Sequence, residues 1–273
     1  MKVRILAIVV VIVVLAVLAS SITACTPKNS YLIQVMKLAP EYIASINCTD
    51  IEEMVEDPDF TALYSDISDM VGPFQYQRIG VADSDISAVT YISTGWMLLC
   101  VLTGDFNLEE VRNILTEDDF VEGEYEGIEI WTDYNYETAA FIGNMIVYGY
   151  SDDIEACIRR HKNEEPSTYD NEDMKSVADR LSSGIISIMY GEGSIYDVEI
   201  SAGGICLRNK QRADGVLDIT GWFKFDSHTS AEANLQDLLD TYFWWNTTDI
   251  DAQLRGQFIE FTGEMEISDY YYR

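Results

Sequence analysis

Glu122, Glu124, Glu126 and Glu129 alternate along a stretch that also carries Tyr125 and Trp131, with Tyr134 close behind. Paired carboxylates beside aromatic rings are the equipment of sugar hydrolysis, in which one acid protonates the leaving oxygen and a second acts as base or nucleophile. The same alternation describes a solvated strand whose charges keep a sheet edge from pairing with other chains, and the residues favour that reading. Asp83, Ser84 and Asp85 open like a calcium loop, but the glycine and the bidentate glutamate that complete such a loop are missing, which leaves weak calcium binding by clustered acids at most. The two histidines, His161 and His228, have no serine or cysteine motif around them. GxSxG, HExxH, GxGxxG and the phosphate-cradling P-loop are all absent, so no catalytic residue, metal ligand or cofactor is assigned.

Charge and composition narrow the classes further. The chain has 47 acidic and 17 basic residues, a net charge of −30. A nucleic-acid binder working by counterion release needs clustered positive charge, so that class is excluded. Apolar residues at 48% and aromatics at 12% are enough for a real core.

The first residues carry an address. Lys2 and Arg4 precede an unbroken Ile, Leu, Val and Ala run from Ile5 to Ala19, shorter than the ~20 residues that span a bilayer and suited to a signal peptide. Ile22-Thr23-Ala24-Cys25 resembles a bacterial lipobox, which implies cleavage between Ala24 and Cys25, lipidation of the Cys25 thiol by diacylglycerol, and acylation by palmitate-class chains. More than one chain is what stable anchoring requires. Residues 1–24 are then the signal peptide and 25–30 a lipidated tether. The body faces outside the cytoplasm at a bacterial cell membrane, held off the anionic surface by its own charge. An uncleaved helical anchor and an ordinary cleavable signal are the alternatives.

Cys48, Cys100, Cys157 and Cys206 remain. In an exported protein an even number allows two disulfides, with the pairing open. Four buried thiols explain them as well, because Cys100 and Cys206 sit in apolar runs.

Hydrophobic periodicity builds the scaffold. The Thr49–Glu52 stretch has a capping-box form, and Phe60, Leu63, Tyr64, Ile67 and Met70 recur at helical spacing. Two β-rich runs flank Thr94-Gly95. Asn107 caps a helix with Leu108, Val111, Ile114 and Leu115 on its inner face, and Gly143-Asn144 turns a hairpin. Ser151 is expected to cap the next helix, the Thr229–Glu232 stretch another, and Gln253 to Ile267 to form a long strand or a hairpin near Gly263. A strand, an acidic residue, a capped helix and further strands occur twice, at Met97–Trp131 and Val216–Phe261. The expected fold is therefore α+β, with mostly antiparallel sheets, helices packed on one face, and two related strand-helix-hairpin units spanning 31–165 and 166–273, separate or continuous.

Two aromatic clusters complete the reading. Trp244 and Trp245 end a helix and Tyr270, Tyr271 and Tyr272 lie near the last residue. Together they form a candidate binding surface for a glycan or a protein. Pro40, Asp57-Pro58, Gly104-Asp105-Phe106, Tyr125-Glu126-Gly127 and Phe141-Ile142-Gly143-Asn144 resemble the turns of a group of uncharacterised bacterial extracytoplasmic proteins. That resemblance covers about residues 38–190 and implies a secreted or anchored α+β module with no catalytic residues to transfer. The expected role is non-catalytic binding or envelope structure. A carboxylate-dependent hydrolase using Glu124 or Glu129, and a carrier or chaperone for an apolar ligand, are the alternatives.

Overall fold

A computed structural model describes residues 30–55, 79–95, 98–195, 198–209, 215–242 and 247–266. Cys25 and the signal peptide, the helical repeat from Phe60 to Met70, and the aromatic candidates Trp244, Trp245, Tyr270, Tyr271 and Tyr272 lie outside the described residues. The first half carries β1 (Ser45–Asp50), β2 (Ile86–Ser93), β3 (Leu98–Gly104), β4 (Val121–Tyr125), β5 (Ile128–Thr132), β6 (Glu137–Ile142) and β7 (Met145–Tyr150), with helices α1 (Ser30–Met36), α2 (Ile51–Val55), α3 (Leu108–Glu117) and α4 (Ser151–His161). The second carries α5 (Glu172–Ala178), β8 (Ile186–Tyr190), β9 (Gly193–Ile195), β10 (Val198–Ile200), β11 (Ala202–Asn209), β12 (Val216–Lys224), α6 (His228–Tyr242), β13 (Thr248–Arg255) and β14 (Phe258–Glu266).

Twelve strands form one sheet, in the order β13-β14-β12-β11-β8-β1-β2-β3-β7-β6-β5-β4, and β9 and β10 make a separate hairpin. Every pairing is antiparallel. The halves meet at β1 and β8, where Asn47 pairs with Ile188. Around that pair the order repeats outward: β8 matches β1, β11 matches β2, β12 matches β3, α6 matches α3, and β13 and β14 match β6 and β7. One row of paired residues crosses the sheet, Ala139-Tyr148-Cys100-Tyr91-Asn47-Ile188-Ile205-Gly221-Phe261-Ala252, with equivalent places at each distance from the centre. The first half adds the β4–β5 hairpin and α4.

The α+β class is as the sequence expects, but the helices cover both faces of the sheet rather than one. On face A, Leu99, Val101, Val147 and Met189 pack with Leu32 and Met36 of α1, Ile154 and Ile158 of α4 and Val177 of α5. On face B, Val111 and Leu115 of α3 cover Cys100, Leu102, Ile146 and Tyr148, while Ala231 and Leu238 of α6 cover Ile205, Ile219, Phe223 and Phe261. The cause is visible in β3, whose near-continuous apolar run Leu98–Leu102 has no polar side to give to water.

Three local expectations shift. The residue before α4 is Tyr150, and Ser151 is the first helical residue, its hydroxyl donating to Tyr136 O at 3.1 Å instead of capping. Ser227 caps α6, its Oγ accepting from Ser230 N at 3.1 Å, ahead of the expected Thr229. The last hairpin turns at Gly256-Gln257, between paired Arg255 and Phe258, and Gly263 lies mid-strand against Thr247 and Ile250. Cys48, Cys100, Cys157 and Cys206 are free and buried, so no disulfide joins them. Cys48 and Cys206 flank Ser187 from two different strands, two strand spacings apart and beyond the reach of an S–S bond. Cys100 sits on face B and Cys157 on α4. Burial pushes the thiols of Cys100 and Cys157 up to about 12 and that of Cys48 up to about 11, so they stay protonated.

Candidate binding surface

The alternating glutamates fall on the β4–β5 hairpin at one end of the sheet. Glu124 stands opposite Glu129 and Glu122 opposite Trp131. Glu129 is tied down: Arg112 of α3 donates to it twice, Nε and Nη2 each at 2.7 Å, and Trp131 Nε1 donates at 2.8 Å. The Arg112 bonds, against some burial, hold the Glu129 carboxyl below its ordinary range. A general acid needs the reverse shift, and with both oxygens taken by Arg112 and one shared with Trp131 this carboxylate serves as a structural anchor. On face A, Arg159 Nη1 of α4 donates to Tyr125 OH at 2.8 Å and Lys162 donates to Glu126 O. The hairpin is thus fastened from both sides.

The five large apolar side chains that are clearly exposed among the described residues are Tyr42, Val121, Tyr134, Tyr136 and Tyr150. Four of them gather at one end of β4 to β7. Val121 pairs with Thr132 at the foot of the β5–β6 turn, that turn holds Tyr134 and Tyr136, and Tyr150 pairs with Glu137 just after it. Tyr134 is 79% exposed, Tyr136 72%, Val121 71% and Tyr150 53%.

The turn beneath them is rigid for a definable reason. Asp133 is only 5% exposed, and its Oδ1 accepts from Asn135 N at 2.8 Å and Glu137 N at 3.0 Å. Its own amide donates to Glu137 O at 2.9 Å, and Tyr136 N donates to Asp133 O at 3.2 Å. Tyr136 adopts φ +66°, a left-handed conformation that costs a side-chain-bearing residue on the order of 1 kcal/mol or more. Its carbonyl is clasped by Ser151 N at 2.9 Å and Ser151 Oγ at 3.1 Å. Thr138 Oγ1 extends this network to Ser151 Oγ at 2.8 Å and Thr132 Oγ1 at 3.0 Å. Asn135, Ser151 and Asp152 line a depression of about 500 Å³ between Tyr136 and Tyr150. Ring-bearing side chains with a polar tip, carried on a strained turn held by several hydrogen bonds, favour contact with a partner because little backbone entropy is lost on binding.

Other places offer less. An apolar cavity under α6, lined by Ile205, Ile219, Leu238, Ile259 and Phe261 among others, measures about 20 Å³, room for about one water and too little for an apolar cargo. Among the described residues no group of three or more His, Cys, Asp or Glu side chains could hold a metal, and no helix is long and apolar enough to cross a membrane. The sequence did not single out Tyr136 or Tyr150, because nothing in a lone tyrosine signals exposure; Asp133 followed by Asn135 was the readable trace of the turn.

No protein-family model matches the chain, and no curated protein does either. Among solved structures, the fold is similar to that of TP0453. Its crystal form I superposes with a TM-score of 0.55 at 9% identity, covering 86% of this chain and 94% of that one. Crystal form III gives 0.53 at 10% identity, covering 86% and 95%. At such identity the likeness is one of fold alone.

Proposed function

We propose that this chain is a bacterial extracytoplasmic binding protein, anchored by lipid at Cys25 and without catalytic action, which engages a protein partner through Tyr134, Tyr136 and Tyr150. The observation that carries the binding role is the tyrosine-bearing turn, where a left-handed Tyr136 is held by the buried Asp133 and by Ser151. Strained backbone over-determined by its surroundings is concentrated at functional sites, and exposed tyrosines are favoured contact residues. The anchoring role rests on the lipobox-like Ile22-Thr23-Ala24-Cys25. The low-lying Glu129 carboxyl, fixed to Arg112, weakens the hydrolase alternative.

The test has two arms in the native bacterium. Cys25→Ser is expected to abolish labelling by a tagged palmitate and to leave a precursor that keeps residues 1–24; normal processing would overturn the anchor. Photocrosslinking from position 135 is expected to trap a defined partner in the parent protein and not in Tyr134→Ala/Tyr136→Ala/Tyr150→Ala. An undiminished crosslink in that variant would overturn the tyrosine surface.

A further inference from the structure

Beside the tyrosine turn lies a sheet edge with unusual freedom. β4 ends the twelve-stranded sheet, and Val121 to Glu124 are all exposed. Its backbone chemistry follows from the turn that precedes β5. Glu126 and Gly127 have φ of +50° and +74°, and Tyr125 pairs with Ile128 across them. A two-residue turn with both central residues left-handed makes the flanking residues a hydrogen-bonded pair. Bonded and non-bonded pairs alternate in an antiparallel ladder. Tyr125, Gly123 and Val121 therefore spend their amides and carbonyls on β5, whereas Glu122 and Glu124 turn theirs outward. The opposite edge differs: β13 is broken by a bulge between Thr248 and Asp251, with Asp249 at φ +51°, a device that blunts edges.

The side chains say what could pair there. Glu122 and Glu124 share face B with Glu129, which Arg112 binds directly while acting on Glu122 only through space, so two negative charges without a direct ion pair flank the outward groups. Val121 and Tyr125 lie on face A. A second copy is a poor occupant, because two-fold pairing about Gly123 sets Glu122 against the other copy's Glu124, and like charges directly opposite destabilise a ladder. We propose that β4 is a docking edge for an extended segment of a partner protein that alternates basic with apolar residues. Its main chain would bond to Glu122 and Glu124, its cations would lie over their carboxylates, and its apolar side chains would lie beside Val121. This deepens the binding-protein reading above and rests on it, while using a strand separate from the tyrosine turn.

The probe is a fluorescent, acetylated and amidated peptide alternating lysine and valine, titrated into the full chain in detergent. The parent chain is expected to bind it, with affinity falling as salt rises. Glu122→Pro/Glu124→Pro removes both outward donors and leaves the ladder to β5 intact, and is expected to weaken binding by about tenfold or more. Glu122→Lys/Glu124→Lys keeps the backbone whole and is expected to lose this peptide and gain one alternating glutamate with valine. The triple tyrosine-to-alanine variant is expected to keep binding within about twofold of the parent. Absence of binding to the parent, binding by the proline or the lysine variant as tight as the parent's, or sedimentation of the parent as a dimer through this edge would each overturn the proposal. Loss of peptide binding only in the tyrosine variant would overturn it too, leaving the tyrosine surface standing.

Discussion

Arg112 shows how one side chain can set the position of a whole hairpin. Its guanidinium reaches from α3 to both oxygens of Glu129 and also lies 5.6 Å from the centroid of the Phe141 ring. Arg112→Ala is expected to cost about 1 kcal/mol, because the pair is bidentate yet partly exposed. A chain of this size should then melt about 2–4 °C lower. The pH dependence has a definite sign. Glu129 is lowered by Arg112 and Asp170 by the amide and hydroxyl of Ser167. Each carboxylate stabilises the fold above its ordinary unfolded pKa, and that stability is lost as pH falls through the lower folded value. In thermal melts down an acid series, Arg112→Ala should therefore lose less stability than the parent below the ordinary carboxylate range. An equal loss would show that the pair contributes nothing.

At the scale of elements, a glycine sits where the second half must bury an aromatic ring. A Cβ on Gly221 would come within 1.9 Å of Phe261 Cε1, and Phe261 is itself stacked on Phe223 at 5.6 Å between centroids. Cys100 holds the equivalent place in the first half beside Tyr148. Gly221→Ala is expected to destabilise by about 1–3 kcal/mol through overpacking, and Phe261→Leu in the same chain to recover part of it; chemical denaturation of both would decide. The elements were largely legible in sequence. Asn107 caps α3, accepting from Glu110 N at 3.5 Å, and Gly143-Asn144 turns β6 into β7, because caps and turns are local chemistry. The assignment of helices to the two faces was not legible. The unbroken apolar run of β3 calls for cover on both faces, but which helix covers Leu99 and which covers Cys100 depends on how distant elements come together, and no local signal encodes that. For the same reason the acidic alternation was readable on β4, but the Arg112–Glu129 pair and the tyrosine cluster were not.

At the scale of the molecule, the two halves share a topology but differ in how they treat face A. Leu99, Val101, Val147 and Ala140 lie in the core that α1 and α4 cover in the first half, and the equivalent places in the second hold Thr220, Trp222, Glu260 and Gln253. β12 accordingly alternates buried and half-buried residues, whereas β3 is buried almost throughout. In the second half α5 lies over β8, β11 and β12 but no counterpart of α4 extends that cover to the outer strands, so face A there includes side chains that water can solvate, such as Thr220, Glu260 and Gln253. The halves nevertheless cannot be parted cheaply. β1 and β8 pair over five residues at the centre, and the core of face A runs from Ala140 through Met189 to Cys206 across the junction. Separating 31–165 from 166–273 would bare two central strand edges and cut that core. Calorimetry is therefore expected to give one transition with calorimetric and van't Hoff enthalpies equal. Its midpoint should rise with added salt, because a net charge of −30 repels itself in the compact state and screening relieves that repulsion. Two separable transitions would mean that the β1–β8 seam joins two independent domains, and a midpoint indifferent to salt would mean that the charge is already balanced locally.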